Sequence, residues 1–341
     1  RQAADAATLL DAEPLRRQRG VTLPLARSEA FAAAERWPQA EAAARAALAE
    51  DPASAATRRH LARLLARGGD ARGAEAVLTD GLRSAPGDPV LQQALVALLN
   101  ETQGIDAALA AATRLASQPS AMPAAAVLRG DILLAARRAP EAAAAYGEMM
   151  QRAPSGALAL RQANALRLAN RADEGAAVLS RRLAEAPQEL GLLATLAQFD
   201  MAANRMEQAE ARMRLLIASA PEDAVSLNNL AWVVSQRRGT EGLAEAKTLA
   251  QRAFYLAPSA ETADTLGWIM ARSGDARPAV TLLRQAFAAL PQPGIGYRFA
   301  FALNAAGERD EARRVLEPLA TGAADFPEKA EAQRLLAELR R

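Results

Sequence analysis

The sequence predicts an all-α fold, a right-handed α-solenoid of about nine helix pairs closed by a C-terminal capping helix. Three observations predict it. Prolines at 52, 86, 119, 154, 187, 221, 258, 291 and 327 recur every 33–37 residues. That is the length of one helix–turn–helix unit with its connection, and proline belongs where a second helix must stop. Alanine supplies about a quarter of the chain, aromatics are 4% and β-branched residues are sparse, which favours helix because alanine loses no side-chain entropy there. Between the prolines, small residues return at two fixed places with large ones a turn away, the pattern by which paired helices pack ridges into grooves.

Taken in order, residues 1–21 read as part of a preceding repeat, with Leu9 and Leu10 on a helix that ends near Pro14. The array then runs over 22–327, its repeats ending near the nine prolines. In the clearest unit, Leu61, Ala62 and Leu65 lie on a first helix, Gly68-Gly69-Asp70 form the turn, and Ala74 and Leu78 lie on a second. The small places are held by Gly130 and Ala142, with Tyr146 a turn on, in the unit ending at Pro154. In the unit ending at Pro291 they are held by Gly267 and Ala279, with Leu283. The turn Arg237-Arg238-Gly239-Thr240-Glu241-Gly242 carries about three extra residues and, lying between two helices of one unit, is expected to protrude without breaking the stack. Residues 321–327 lengthen the last connection. The segment 328–341 then reads as an amphipathic capping helix with Ala332, Leu335, Leu336 and Leu339 on one face.

This skeleton resembles the tetratricopeptide repeat, whose signature runs large, Leu-Gly and aromatic on the first helix, then Ala, Phe, Ala and Pro through the second. Thr265-Leu266-Gly267-Trp268 followed by Ala279, Leu283, Ala286 and Pro291 reproduces most of it. The chain departs from it where Arg58, Ala126 and Ala263 replace the early large residue, and where Ser28 stands at a place usually held by Gly or Ala.

Charge is nearly balanced, 41 basic residues against 39 acidic, so nothing marks a nucleic-acid binder. Cysteine is absent, which removes disulfides, thiolate nucleophiles and cysteine metal sites but leaves the compartment open. No stretch approaches the roughly 18 apolar residues of a membrane helix. Neither does any stretch read as a secretory leader, although the chain starts at Arg1 and a leader upstream stays open. The single histidine, His60, lies among Arg58, Arg59 and Arg63 and reads as a partly exposed helix residue. Glu207 with Glu210 and Glu308 with Glu311 sit where a helix N-terminus favours acids. No catalytic constellation, cofactor motif or metal set remains, so the chain reads as no enzyme.

In this architecture the first helix of each unit builds the inward face. The residue after the small place, and those three or four positions to either side, should point into it. In the first half this selects Arg59 and Arg63, then Gln93, Asp131, Asn164 and Arg167, a polar groove. In the last three units it selects Asn228 with Trp232, Asp264 with Trp268, and Tyr297 with Phe301. Those aromatics are either packing or a ladder of faces for an extended peptide or a sugar, and Trp268→Ala distinguishes the two. If one segment binds preferentially, it is expected between Pro221 and Pro327.

The motifs Leu227-Asn228-Asn229-Leu230-Ala231-Trp232, Asp264 to Trp268, and Phe326 to Ala332 are similar to the end of bacterial tetratricopeptide proteins of exopolysaccharide synthesis and export. That resemblance implies a periplasmic or outer-membrane-associated scaffold binding protein partners, with polysaccharide a further candidate. A cytoplasmic peptide-binding adaptor and the regulatory repeat region of a larger enzyme are the alternatives. The lysine–asparagine–arginine clamp by which some tetratricopeptide proteins hold acidic C-termini is not found.

Overall fold

The computed structural model describes residues 2–10, 22–118 and 122–341. Pro14 and Pro119, and the expected helix end near Pro14, lie outside the described residues. Among those described are twenty α-helices and no strand. After α1 (Gln2–Leu10) come nine pairs: α2 (Thr22–Ala33) with α3 (Trp37–Glu50), α4 (Ala55–Arg67) with α5 (Ala71–Ser84), α6 (Pro89–Gln103) with α7 (Ile105–Ala116), α8 (Met122–Ala135) with α9 (Ala139–Arg152), α10 (Gly156–Leu168) with α11 (Ala172–Glu185), α12 (Leu190–Ala202) with α13 (Met206–Ser219), α14 (Ala224–Arg237) with α15 (Leu243–Leu256), α16 (Ala260–Arg272) with α17 (Ala276–Ala289), and α18 (Pro293–Ala305) with α19 (Arg309–Thr321). A final helix, α20 (Lys329–Leu339), follows. None of the described helices is long and apolar enough to cross a membrane. The chain forms two compact units, 1–178 and 179–341.

Backbone geometry at the ends of the helices repeats as regularly as the prolines. Asp51, Ala85, Ala153, Ala220, Ala257 and Leu290 each precede a proline and stand at φ between −133° and −143° with ψ between 73° and 88°. The ring of a following proline disfavours the helical region for the residue before it, so each second helix ends there. Within the pairs, the turn always carries a residue in left-handed conformation: Glu35, Gly69, Gly104, Arg137, Asn170, Asn204, Gly239, Gly274 and Gly307. The left-handed residue ends the first helix and lets the chain reverse into the second. Side-chain caps on Ser54, Asp70, Asp88, Ser155, Asp223 and Ser259 satisfy free amides at helix starts.

In the first unit the core is leucine against alanine. Leu61, Leu78 and Leu91 are buried with Ala40, Ala44, Ala74, Ala108 and Ala112, the small residues letting helix backbones approach. Gly130 shows how tight this is, since a β-carbon there would stand 2.4 Å from Tyr146 Cε1. Tyr146 is wholly buried, and its hydroxyl donates to Asp131 at 2.5 Å. Arg58 explains its own departure from the repeat pattern. Its stem lies on Gly81, while its guanidinium donates to the carbonyls of Val77 and Pro52, so a long side chain fills the place of an apolar one and keeps its head satisfied. In α1, which carries both Leu9 and Leu10, Ala7 is the buried residue and Leu9 is 66% exposed, because two positions on along a helix is roughly the opposite side.

The second unit repeats the packing, with Gly267 against Leu283 Cγ, which would stand 2.7 Å from an added β-carbon. It adds buried charge. Asp200 is buried and takes Arg205 at 2.8 Å and Arg212. The long turn between α14 and α15 does not simply protrude. Residues Gly239–Gly242 form a 3-10 turn whose Gly242 is buried, and Arg237 and Arg238 reach back to Glu210 on α13. The expected apolar face of α20 is buried at Ala332, Leu335, Leu336 and Leu339. Its start is secured by Lys329 Nζ on the carbonyls of Gly322 and Ala324.

Candidate functional site

In the first unit, α4 and α6 enclose an open groove of about 530 Å³. One wall carries Arg59, Arg63 and Arg67, the other Gln93, Ala97 and Glu101, and Ala62, Ala66, Ala94, Leu78, Val90 and Leu98 complete the lining. All six wall residues are exposed. Arg67 lies over the ring of Trp37 at 4.7 Å. Among the described residues, neither Arg59 nor Arg63 has an ion-pair partner. The structure thus brings Arg59, Arg63 and Gln93 into one groove. The other three inward residues of this half are exposed but engaged: Arg167 donates to Asn164 at 2.8 Å, and Asp131 accepts from Tyr146 and stands 3.5 Å from Arg161.

In the second unit the rings pack on one another. Trp268 meets Phe301 edge-on at 5.1 Å and Tyr297 at 6.1 Å, with Tyr297 and Phe301 6.4 Å apart and all three pairs steeply inclined. Tyr297 is buried, and Trp268 and Phe301 are half-buried against the same core. Inclined aromatic pairs at these distances are the packing geometry the ring quadrupole favours. Trp232 stands apart from that cluster under the Arg298 guanidinium at 5.4 Å. Asp264, expected as a group flanking the groove, is instead buried with both carboxylate oxygens taken by Arg298 at 2.8 Å. Burial pushes its pKa up against the opposing pull of Arg298. Asn228 Oδ1 and Trp268 Nε1 are buried without a hydrogen-bond partner among the described residues.

Three groups were missed by the inward-face rule. Arg298 holds Asp264, donates to Glu328 at 2.7 Å and covers Trp232, so one side chain ties α14, α16 and α18 to the residue before α20. Glu210 is buried among Arg214, Arg237 and Arg238, and Glu245 joins Arg214 and Arg238. Burial works to raise the Glu210 pKa, but hydrogen bonds from Arg237 and Arg214 and the charge of Arg238 outweigh it and hold it at about 2. The third is Ser28, which is fully buried, donates to Ala40 O at 2.6 Å and lies 2.8 Å from His60 Nε2. Because the hydroxyl has a single proton, His60 is the donor in that contact, and Ser28 is held as a structural hydroxyl with no proton for His60 to remove.

Residues 31–99 match the family model described as tetratricopeptide repeat. This stretch is therefore similar to tetratricopeptide repeats. Arg59, Arg63 and the facing residues Gln93 and Ala97 lie inside it. The tetratricopeptide repeat-containing protein PA4667 of Pseudomonas aeruginosa is 32% identical over 164 residues, 47% of this chain, and the chain spans 28% of that protein's length. Among solved structures, the Cut9–Hcn1 hetero-tetramer of the APC/C aligns over 100% of this chain and 81% of its own at 15% identity, with a TM-score of 0.56. A thermophilic tetratricopeptide protein of Thermus thermophilus aligns over 53% of this chain and 97% of its own at 22% identity, with a TM-score of 0.42. The likeness to the Cut9–Hcn1 structure is one of fold alone.

Proposed function

We propose that this chain is a non-catalytic protein–protein interaction scaffold that takes an extended segment of a partner along the first helices of its pairs, foremost across α4 and α6. The observation that carries this is the open groove between those helices, with Arg59 and Arg63 exposed and, among the described residues, without an ion-pair partner, beside a lining of alanine, leucine and valine. The similarity of 31–99 to tetratricopeptide repeats supports it, since stacked helix pairs present extended binding surfaces. A photo-reactive residue at Gln93 should give adducts with one or a few discrete proteins in cells, whereas the same residue at Arg72, exposed on α5, should not. Equal labelling from both positions, or none from Gln93, would overturn the reading.

The finer proposal is that the partners are components of exopolysaccharide synthesis or export at the cell envelope, with the protein periplasmic or outer-membrane-associated. It is supported by the motifs at Leu227–Trp232, Asp264–Trp268 and Phe326–Ala332. Fractionation of cells carrying the native protein tests it: recovery in the cytoplasm would remove the envelope role and leave the scaffold.

A further inference from the structure

We infer that the α4–α6 groove recognises an internal, extended polypeptide segment bearing two carboxylates at alternate positions. The inference rests on the scaffold reading and adds the chemistry of the bound segment. Arg59, Arg63 and Arg67 are spaced by four residues on one helix, about 6 Å along its axis per step. Alternate side chains of an extended strand lie on one side and recur at about 6.7 Å. A chain running along α4 therefore meets successive guanidiniums with every second residue. The 34-residue repeat sets Arg59 beside Gln93, Arg63 beside Ala97 and Arg67 beside Glu101. The first two arginines have no acidic neighbour on the facing helix, while the third is held over Trp37 and faces a carboxylate. Two acids are accommodated and a third in step with them at the Arg67 end meets Glu101, which fixes the register. The small residues Ala62, Ala66, Ala94 and Ala97 leave space for a backbone, with Leu78, Val90 and Leu98 completing an apolar lining.

This polarity disfavours uniformly charged polymers. A single-stranded nucleic acid or an acidic polysaccharide carries charge at every unit and would bring one against Glu101. Among the described residues no aromatic ring lines the groove, and the ring of Trp37 lies under Arg67, so the lining offers no aromatic face to a base or a sugar. A lone terminal carboxylate would use one arginine and leave the other unmatched.

Fluorescence anisotropy at low ionic strength tests this with the full chain and labelled ten-residue peptides capped at both ends, as in an Ala-Gln background with Glu-X-Glu at the centre. The alternate pair should bind about fivefold more tightly than the same composition written Glu-Glu, and adding a third alternate Glu should give no further gain. Arg59→Glu with Arg63→Glu should abolish the preference while helical circular dichroism is unchanged, and Glu101→Gln should restore the gain from the third acid. Equal binding of both peptides, survival of the preference in the double variant, or tighter binding of oligothymidylate or an acidic polysaccharide would overturn the inference. Adducts at Gln93 with a partner lacking such a pair would also overturn it, yet leave the scaffold reading intact.

Discussion

At Gly130 the space for one methyl group decides the packing of a repeat. Tyr146 is wholly buried and stands where a β-carbon would need to be, so Gly130→Ala should cost about 1–3 kcal/mol in urea denaturation. Combining it with Tyr146→Leu should recover part of that loss. His60 is a second sensitive position. Burial lowers its pKa, with Glu29 opposing and Arg63 adding to the effect. The unfolded chain takes up this proton near pH 6.5, whereas the folded chain takes it up only at lower pH. The contribution to stability is therefore complete above the unfolded value and is lost as pH falls through the window down to the folded one. Denaturation midpoints between about pH 8 and pH 5 should show that loss, and His60→Gln, which keeps a donor for Ser28, should flatten it. Gly130 and Gly267 were legible in the sequence because a small residue at a fixed place has one packing meaning. Arg298 was not, because its partners come from other repeats. A usable signal existed, since Arg298 stands one place past Tyr297, the counterpart of Asp264 in the next repeat, and carries the opposite charge.

Each pair of helices depends on one left-handed residue in its turn, and the residue types differ in what that conformation costs. Glycine holds five of these turns and asparagine two, while Glu35 and Arg137 carry a β-carbon at φ 59°. Arg137→Gly and Glu35→Gly should each raise stability by about 1 kcal/mol, measured as a shift in denaturation midpoint at constant slope. The extra residues between α14 and α15 were legible as an insertion, but their role was not. Read alone, a run of Arg, Gly, Thr and Glu has the composition of a solvated loop, whereas the fold places its two arginines on the buried carboxylate of Glu210 on α13, in the preceding pair. Glu210→Gln should cost about 2 kcal/mol by removing the charge that three arginines share. With a folded pKa of about 2, Glu210 stabilises the fold above the ordinary carboxylate range. That contribution should fade as pH falls from about 4.5 towards 2.

Across the whole chain, the helical fold was legible because two independent periodicities agree, the proline stops and the small-residue places, and both reflect backbone demands that side-chain chemistry cannot hide. The candidate site was less so. The inward-face rule found Arg59, Arg63 and Gln93, which line the groove. It also selected Asp264, Trp268 and Tyr297, whose periodic placement is equally that of packing. Exposure and pairing separate a surface residue awaiting a partner from one already engaged, and neither can be read from spacing. Whether a partner segment lies across the first helices of the repeats at α4 and α6 is decided by hydrogen–deuterium exchange of the protein with and without the partner captured at Gln93. Slowed exchange in α4 and α6 is the expected outcome. Protection confined to α5, α7 and the other second helices of the pairs would contradict it.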